Sequence, residues 1–158
     1  MDITQTLHVT NRKDWRDWLK TNYKTEKEIW LVYYKEATGK SRIEYNDAVE
    51  EALCFGWIDS IVKKLDEYST VQRFSPRKPK ASYSQANIER LRSLVAKKKV
   101  VKEVVDSLGD ILNEEFVIPP DILSAIKANK EAWKNFQKFS DSYKRIRIAF
   151  IHGARHRP

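Results

Sequence analysis

Two short stretches concentrate the side chains that could do chemistry. Ala52 to Ser60 reads ALCFGWIDS and ends in a carboxylate and a hydroxyl, Asp59 and Ser60. Arg73 to Lys80 reads RFSPRKPK and carries Arg73, Arg77, Lys78 and Lys80 around Pro76 and Pro79. Guanidinium groups pair bidentately with phosphate or carboxylate. Prolines restrict the loop that carries them, so the cations are partly pre-organised. Trp57, Phe74 and Tyr83 offer faces on which a base or sugar could stack. These residues outline an anion-binding groove made of Trp57, Asp59, Ser60, Arg73, Ser75, Arg77, Lys80, Tyr83, Ser84 and Asn87. A purely structural reading stands beside it: Asp59 bridging to Arg73 or Arg77, Trp57 and Phe74 in the core, and Ser84 a helix cap.

No catalytic residue is assigned, because no nucleophile–base pair or second catalytic carboxylate is evident. Cys54 is the only cysteine and lies in an apolar stretch, which reads as a buried structural thiol and excludes an internal disulfide. His152 and His156 are spaced i, i+4, but Arg155 and Arg157 flank them and disfavour a dication, so no metal is expected. The four glycines form no phosphate loop or dinucleotide fingerprint, and no cofactor is expected.

The net charge of +8 is unevenly placed. Nine basic residues and one acid fall between Ser75 and Lys102, while the rest of the chain balances. That is the footprint of a polyanion partner, with Lys78, Arg90, Lys97, Lys98 and Lys99 as candidate nucleic-acid contacts. A solvated basic helix face explains the same residues. A third reading, an enzyme holding an anionic small substrate, would use Asp59 as acid or base.

These side chains need elements to position them. Asn11 caps a helix with Trp15, Trp18 and Leu19 on one face, running to about Tyr23. Ile29 to Tyr34 is a buried strand. Asn46 or Asp47 caps a second helix ending near Gly56. Ile61 to Leu65 and Thr70 to Phe74 form a hairpin around Asp66 to Ser69. Helices follow: one capped by Ser84, a β-branched one up to Gly109, one after Pro119-Pro120, one around Trp133 and Phe136, and a last one capped by Ser140 with Tyr143, Ile146 and Phe150 inward. Strands early and helices late predict an α+β fold, a small antiparallel sheet with packed helices followed by a helical C-terminal part. The 41% of hydrophobic residues suffice for a core, and no apolar run approaches a membrane span. A cytoplasmic protein of unknown oligomeric state is expected.

Several motifs occur in a recognisable order. Trp15 to Leu19 gives W-x-x-W-L, Glu28 to Gly39 carries IWLVYYK, and Tyr45 to Leu53 gives Y-x-x-A-V-x-x-A-L. ALCFGWIDS and RFSPRKPK follow, then Asn87. Together these resemble the YdeI/OmpD-associated family of bacteriocin-protection proteins, chiefly from Trp15 to Asn87. The C-terminal part is similar but looser, through Ile118 to Asp121 and Phe139 to Arg145. The resemblance implies a non-enzymatic protein that binds an anion or a partner and is linked to bacteriocin protection or stress. It also implies a domain over residues 1–110 and a helical part over 117–158.

Overall fold

The computed structural model describes residues 2–79 and 81–154. The chain forms two units, residues 1–82 with 93–108, and residues 83–92 with 109–158. The first holds a four-stranded sheet in the order β1-β2-β4-β3. Its strands are β1 (Thr6–Leu7), β2 (Ile29–Tyr34), β3 (Trp57–Lys64) and β4 (Ser69–Pro76). β2 and β3 both run antiparallel to β4, whereas β1 pairs in parallel with β2, so the sheet is mixed. The two-residue β1 is too short to leave a periodic signal in the sequence. The α+β class holds, with α1 (Arg12–Asn22), α2 (Tyr45–Cys54), α3 (Gln85–Ala96), α4 (Lys102–Ser107), α5 (Pro120–Ala128), α6 (Lys130–Gln137) and α7 (Asp141–Ala154). Among the described residues, no helix is long and apolar enough to cross a membrane.

α1 starts where Asn11 accepts the backbone N–H of Asp14 at 3.0 Å. Its apolar face meets the sheet through rings. Trp15 packs edge-on to Phe74 at 5.4 Å and stacks on Trp18, which in turn meets Trp57 edge-on at 5.7 Å. Offset and edge-on pairs of this kind are each worth about 0.5–1.5 kcal/mol beyond their burial. The buried indole N–H of Trp15 donates to the Ala48 carbonyl, which locks α1 to α2. Beside it, Glu51 is only 2% exposed and takes Arg12 Nε and Arg16 Nη1 at 2.9 and 2.6 Å. A carboxylate buried without such partners would cost several kcal/mol.

α2 begins at Tyr45 behind Glu44, two or three residues ahead of the cap expected at Asn46 or Asp47, and Glu44 makes no side-chain cap bond. The helix ends at Cys54, and Gly56, just past the Phe55 cap, takes the left-handed φ of 73° anticipated for it. β3 then starts directly at Trp57, four residues before the expected strand. α3 ends in a Schellman turn, where Lys99 N–H reaches the Leu94 carbonyl and Lys98 N–H the Val95 carbonyl. Lys98 fills the left-handed position at φ 56° that glycine usually occupies.

In the second unit, Ser84 and Ser140 cap α3 and α7, each accepting a backbone N–H at 3.3 Å. Asn129 caps α6 in the same way. Trp133, Phe136, Phe139 and Tyr143 form a continuous aromatic run with neighbouring centroids 4.7–6.4 Å apart. Glu89 accepts both Nε and Nη2 of Arg145, at 2.6 and 2.8 Å, and joins α3 to α7. The inward residue of α7 is Ile148, fully buried. Phe150, expected inward, is 66% exposed, and Tyr143 is also exposed. The reason is angular: Ile148 and Arg145 share the face that meets Glu89, and Phe150 lies two residues off it.

The two left-handed positions make opposite predictions. A Cβ on Gly56 would sit 3.1 Å from Val104 Cγ2 in a conformation that costs an L-residue about 1–2 kcal/mol. Gly56→Ala therefore lowers the thermal midpoint by several degrees. Lys98→Gly removes a similar penalty and raises the midpoint by a smaller amount, since glycine costs unfolded-state entropy. Paired thermal melts check both signs.

Candidate functional site

The pleat of the sheet divides the residues singled out by sequence. In the β3–β4 ladder, Ile58 stands opposite Ser75 and Asp59 opposite Phe74. Neighbouring residues of a strand point to opposite faces. Arg73 and Ser75 therefore share one face with Ile58, while Asp59 lies on the other with Phe74 and Gln72. The structural alternative of an Asp59 bridge to Arg73 or Arg77 is replaced by separate partners on the two faces.

On the first face Arg73 is mostly buried and pinned. Its Nε donates to Glu28 at 2.6 Å, and Nη1 donates to Ser75 at 3.1 Å. Ser60 joins weakly, its hydroxyl 3.4 Å from the Arg73 carbonyl. Glu28 is held in turn by Thr4 and the Trp30 indole. Arg77 folds back on its own loop and donates to the carbonyls of Ala81 and Ser82 at 3.0 and 2.8 Å. Its backbone N–H binds the Gly56 carbonyl at 2.9 Å, which ties the proline loop to the end of α2.

Arg73, Ser75 and Arg77 open onto a cleft of about 720 Å³. Lys24, Thr25, Glu26 and Lys27, from the loop between α1 and β2, form a second wall that the sequence did not reveal. Ile58, Pro76, Lys78, Ala81 and Ser82 complete it. Five basic side chains and one acidic one line the cleft among the described residues. Lys24 is paired with Glu103, and Lys27 and Lys78 are exposed. Lysines in a charged loop carry no periodic signature, so only the fold brings Lys24 and Lys27 to the arginines.

Among the described residues, the other groove candidates are not part of the cleft lining. Trp57 is fully buried, its ring against Trp18 and its N–H donating to the Tyr23 carbonyl, so it presents no face for stacking. Asp59 accepts Tyr45 Oη at 3.0 Å and Gln72 Nε2 at 2.9 Å. Tyr83, Ser84 and Asn87 belong to the second unit, where Ser84 caps α3 and buried Asn87 accepts from Arg90. Lys80 lies outside the described residues, as does His156. Of the nucleic-acid candidates, Lys78 is at the cleft and Lys97, Lys98 and Lys99 form the C-terminal turn of α3. There they face the negative end of the helix dipole. Elsewhere in the basic segment, Arg92 binds Glu89 and the carbonyls of Leu112 and Glu114, and Lys102 pairs with Asp106. Cys54 is fully buried, and burial pushes its thiol pKa up.

Glu28 makes the cleft sensitive to acid. Hydrogen bonds from Thr4 and then Arg73 hold its carboxyl below the usual carboxylate range. A carboxyl with a depressed folded pKa adds stability that is complete above its unfolded value and disappears as the pH falls through the folded one. The wild-type melting temperature should thus decline below about pH 4.5, the ordinary Glu range. Glu28→Gln should be less stable near neutrality and show a flatter acid limb. Thermal melts across pH 3–7 measure the difference.

Comparison with known families places the chain. A model described as a domain of unknown function, DUF8412, matches residues 7–107, well over half the chain. The model for bacteriocin-protection, YdeI or OmpD-associated proteins matches residues 115–157. Searches of curated proteins and of solved structures returned no match. The YdeI/OmpD likeness is thus carried by the C-terminal region, whereas the ordered motifs from Trp15 to Asn87 fall within the other match. The chain belongs to the DUF8412 family, whose model spans its sheet-containing region, and its residues 115–157 are similar to the YdeI or OmpD-associated model.

Proposed function

We propose that the protein binds a small organic anion, a phosphate or carboxylate with a modest apolar part, in the cleft between the Lys24–Lys27 loop and β4. The observation that carries this reading is the convergence of Lys24, Lys27, Arg73, Arg77 and Lys78 on one 720 Å³ concavity whose floor includes Ile58 and Pro76. Clefts lined by one sign of charge concentrate oppositely charged ligands. Arg73 is pre-organised by Glu28 and Ser75, so little side-chain entropy is lost when its remaining donors meet an anion. Ser75 and Thr25 add hydroxyl donors, and the apolar floor gives a non-polar substituent somewhere to rest. The link to bacteriocin protection rests on the C-terminal family match and is part of the same proposal.

A diffuse nucleic-acid surface is less well supported. Arg92 and Lys102 are committed to partners within the fold. A polynucleotide would neutralise many cations at once and weaken steeply with salt. A small anion held at one cleft would show a shallow salt dependence.

Calorimetric titration with inorganic phosphate, pyrophosphate and a short single-stranded oligonucleotide separates the two. We expect saturable binding of at least one small anion, weakened about fivefold or more by each of Lys27→Ala and Lys78→Ala, the loss of one hydrogen bond to a charged group. These lysines are exposed, so their removal leaves the fold intact. Arg77→Ala is less informative, because it also frees the Ala81 and Ser82 carbonyls. Oligonucleotide binding with a steep salt slope and no small-anion binding would overturn the proposal.

A further inference from the structure

α7 is apolar on two sides. Its inner side holds Ile148, fully buried, and Arg145, which reaches Glu89. Tyr143, Ile146 and Phe150 lie roughly 140–160° around the helix axis from Ile148. A helix packed by one face normally turns polar residues to that outward side. Here Tyr143 and Phe150 are exposed, and so is Ile151 beside them. Phe139, also exposed, precedes the helix and packs edge-on to Tyr143 at 4.7 Å, which lengthens the stripe. α6 buries none of its residues, and its half-covered Trp133 and Phe136 run on to Phe139. A contiguous apolar surface of this kind marks an interaction site. It shares no residue with the basic cleft.

Charge and shape select what covers it. From Lys130 to Ala154 the chain sets Lys130, Lys134, Lys138, Lys144, Arg145 and Arg147 against only Glu131 and Asp141. A second copy would bring these cations against themselves. A partner helix seats in a groove, whereas this stripe is the outward side of a single helix. Single-stranded nucleic acid needs open ring faces, but Arg147 already lies over the Tyr143 ring at 4.8 Å, and Ile146 and Ile151 offer no ring at all. An anionic bilayer meets every condition. Aromatic and aliphatic side chains enter among the headgroups, while Lys and Arg lay their stems along the apolar surface and keep their charges at the lipid phosphates. We propose that α7 docks on an anionic membrane surface, inserting Phe139, Tyr143 and Phe150 with Arg147 at the headgroup level. The helix has 14 residues, about 21 Å, so it lies along the surface and does not cross a hydrocarbon core of about 30 Å.

Co-sedimentation of the full chain with vesicles tests this, using phosphatidylcholine alone and an equal mixture with phosphatidylglycerol. The expected result is binding to the mixed vesicles and little to phosphatidylcholine. Phe150→Ser should weaken binding about tenfold or more, the effect of no longer burying one phenyl ring. Because Phe150 is exposed, its replacement should not lower the melting temperature. Arg147→Ala should weaken binding about fivefold, the effect of one cation beside an anionic leaflet. Soluble glycerol phosphate, the headgroup chemistry without acyl chains, should not release the protein. No binding to the mixed vesicles, unaltered binding in Phe150→Ser, or release by glycerol phosphate would overturn the proposal. So would oligonucleotide binding or self-association that Phe150→Ser abolishes, since either would give this face a different occupant.

Discussion

The pairing register of β3 on β4 is the constraint on which the chemistry of this protein depends. With Ile58 opposite Ser75 and Asp59 opposite Phe74, the alternation of a pleated strand leaves no choice of face. Arg73 and Ser75 go to the side where the Lys24–Lys27 loop forms a wall. Asp59 goes to the side where α1 and α2 pack. A slip of one residue would exchange the two sets and bury a guanidinium among tryptophans. The tryptophans themselves prevent the slip, because Trp57 and Phe74 must stay beneath Trp18 and Trp15.

That packing is anchored by polar groups, not by apolar area alone. The Trp15 indole holds the Ala48 carbonyl, and Glu51 is satisfied only because Arg12 and Arg16 reach it from α1. Arg16 also donates to the Lys99 carbonyl, just past the end of α3. Replacing either arginine would leave a buried carboxylate short of partners, which costs more than the bond itself. On the opposite face the same logic runs through Glu28, whose bonds to Thr4, Trp30 and Arg73 hold one guanidinium at the cleft. The basic character of the chain is thus partly structural, with cations used to satisfy buried acids and helix-end carbonyls.

Local signals were legible in the sequence where a single residue decides the outcome. Asn11, Ser84 and Ser140 cap helices because their short side chains reach a backbone N–H three residues on. Gly56 ends α2 because only glycine takes its φ cheaply. Ile29 to Tyr34 is a strand because it is apolar, short and β-branched. The first half of β3 was not legible: its register shifts between Asp59 and Val62, which breaks the alternation that marks a strand. The grouping of Asp59 with Arg73 failed for the same reason, since adjacency in sequence says nothing about faces until the register is known. Residue type and proline spacing single out Arg73, Ser75 and Arg77, which line the cleft, whereas Lys24 and Lys27 reach it only through the turn after α1.

The proposed anion cleft thus lies on the face of the sheet away from α1 and α2, and its position can be read directly. A residue-by-residue amide titration with inorganic phosphate is the most direct measurement. Saturable shifts confined to Lys24–Lys27, Ile58 and Arg73–Lys78 are expected, with Tyr33, Tyr45 and Gln72 silent. Shifts centred on Gln72 and Tyr45, or spread without saturation over Lys97, Lys98 and Lys99, would contradict it.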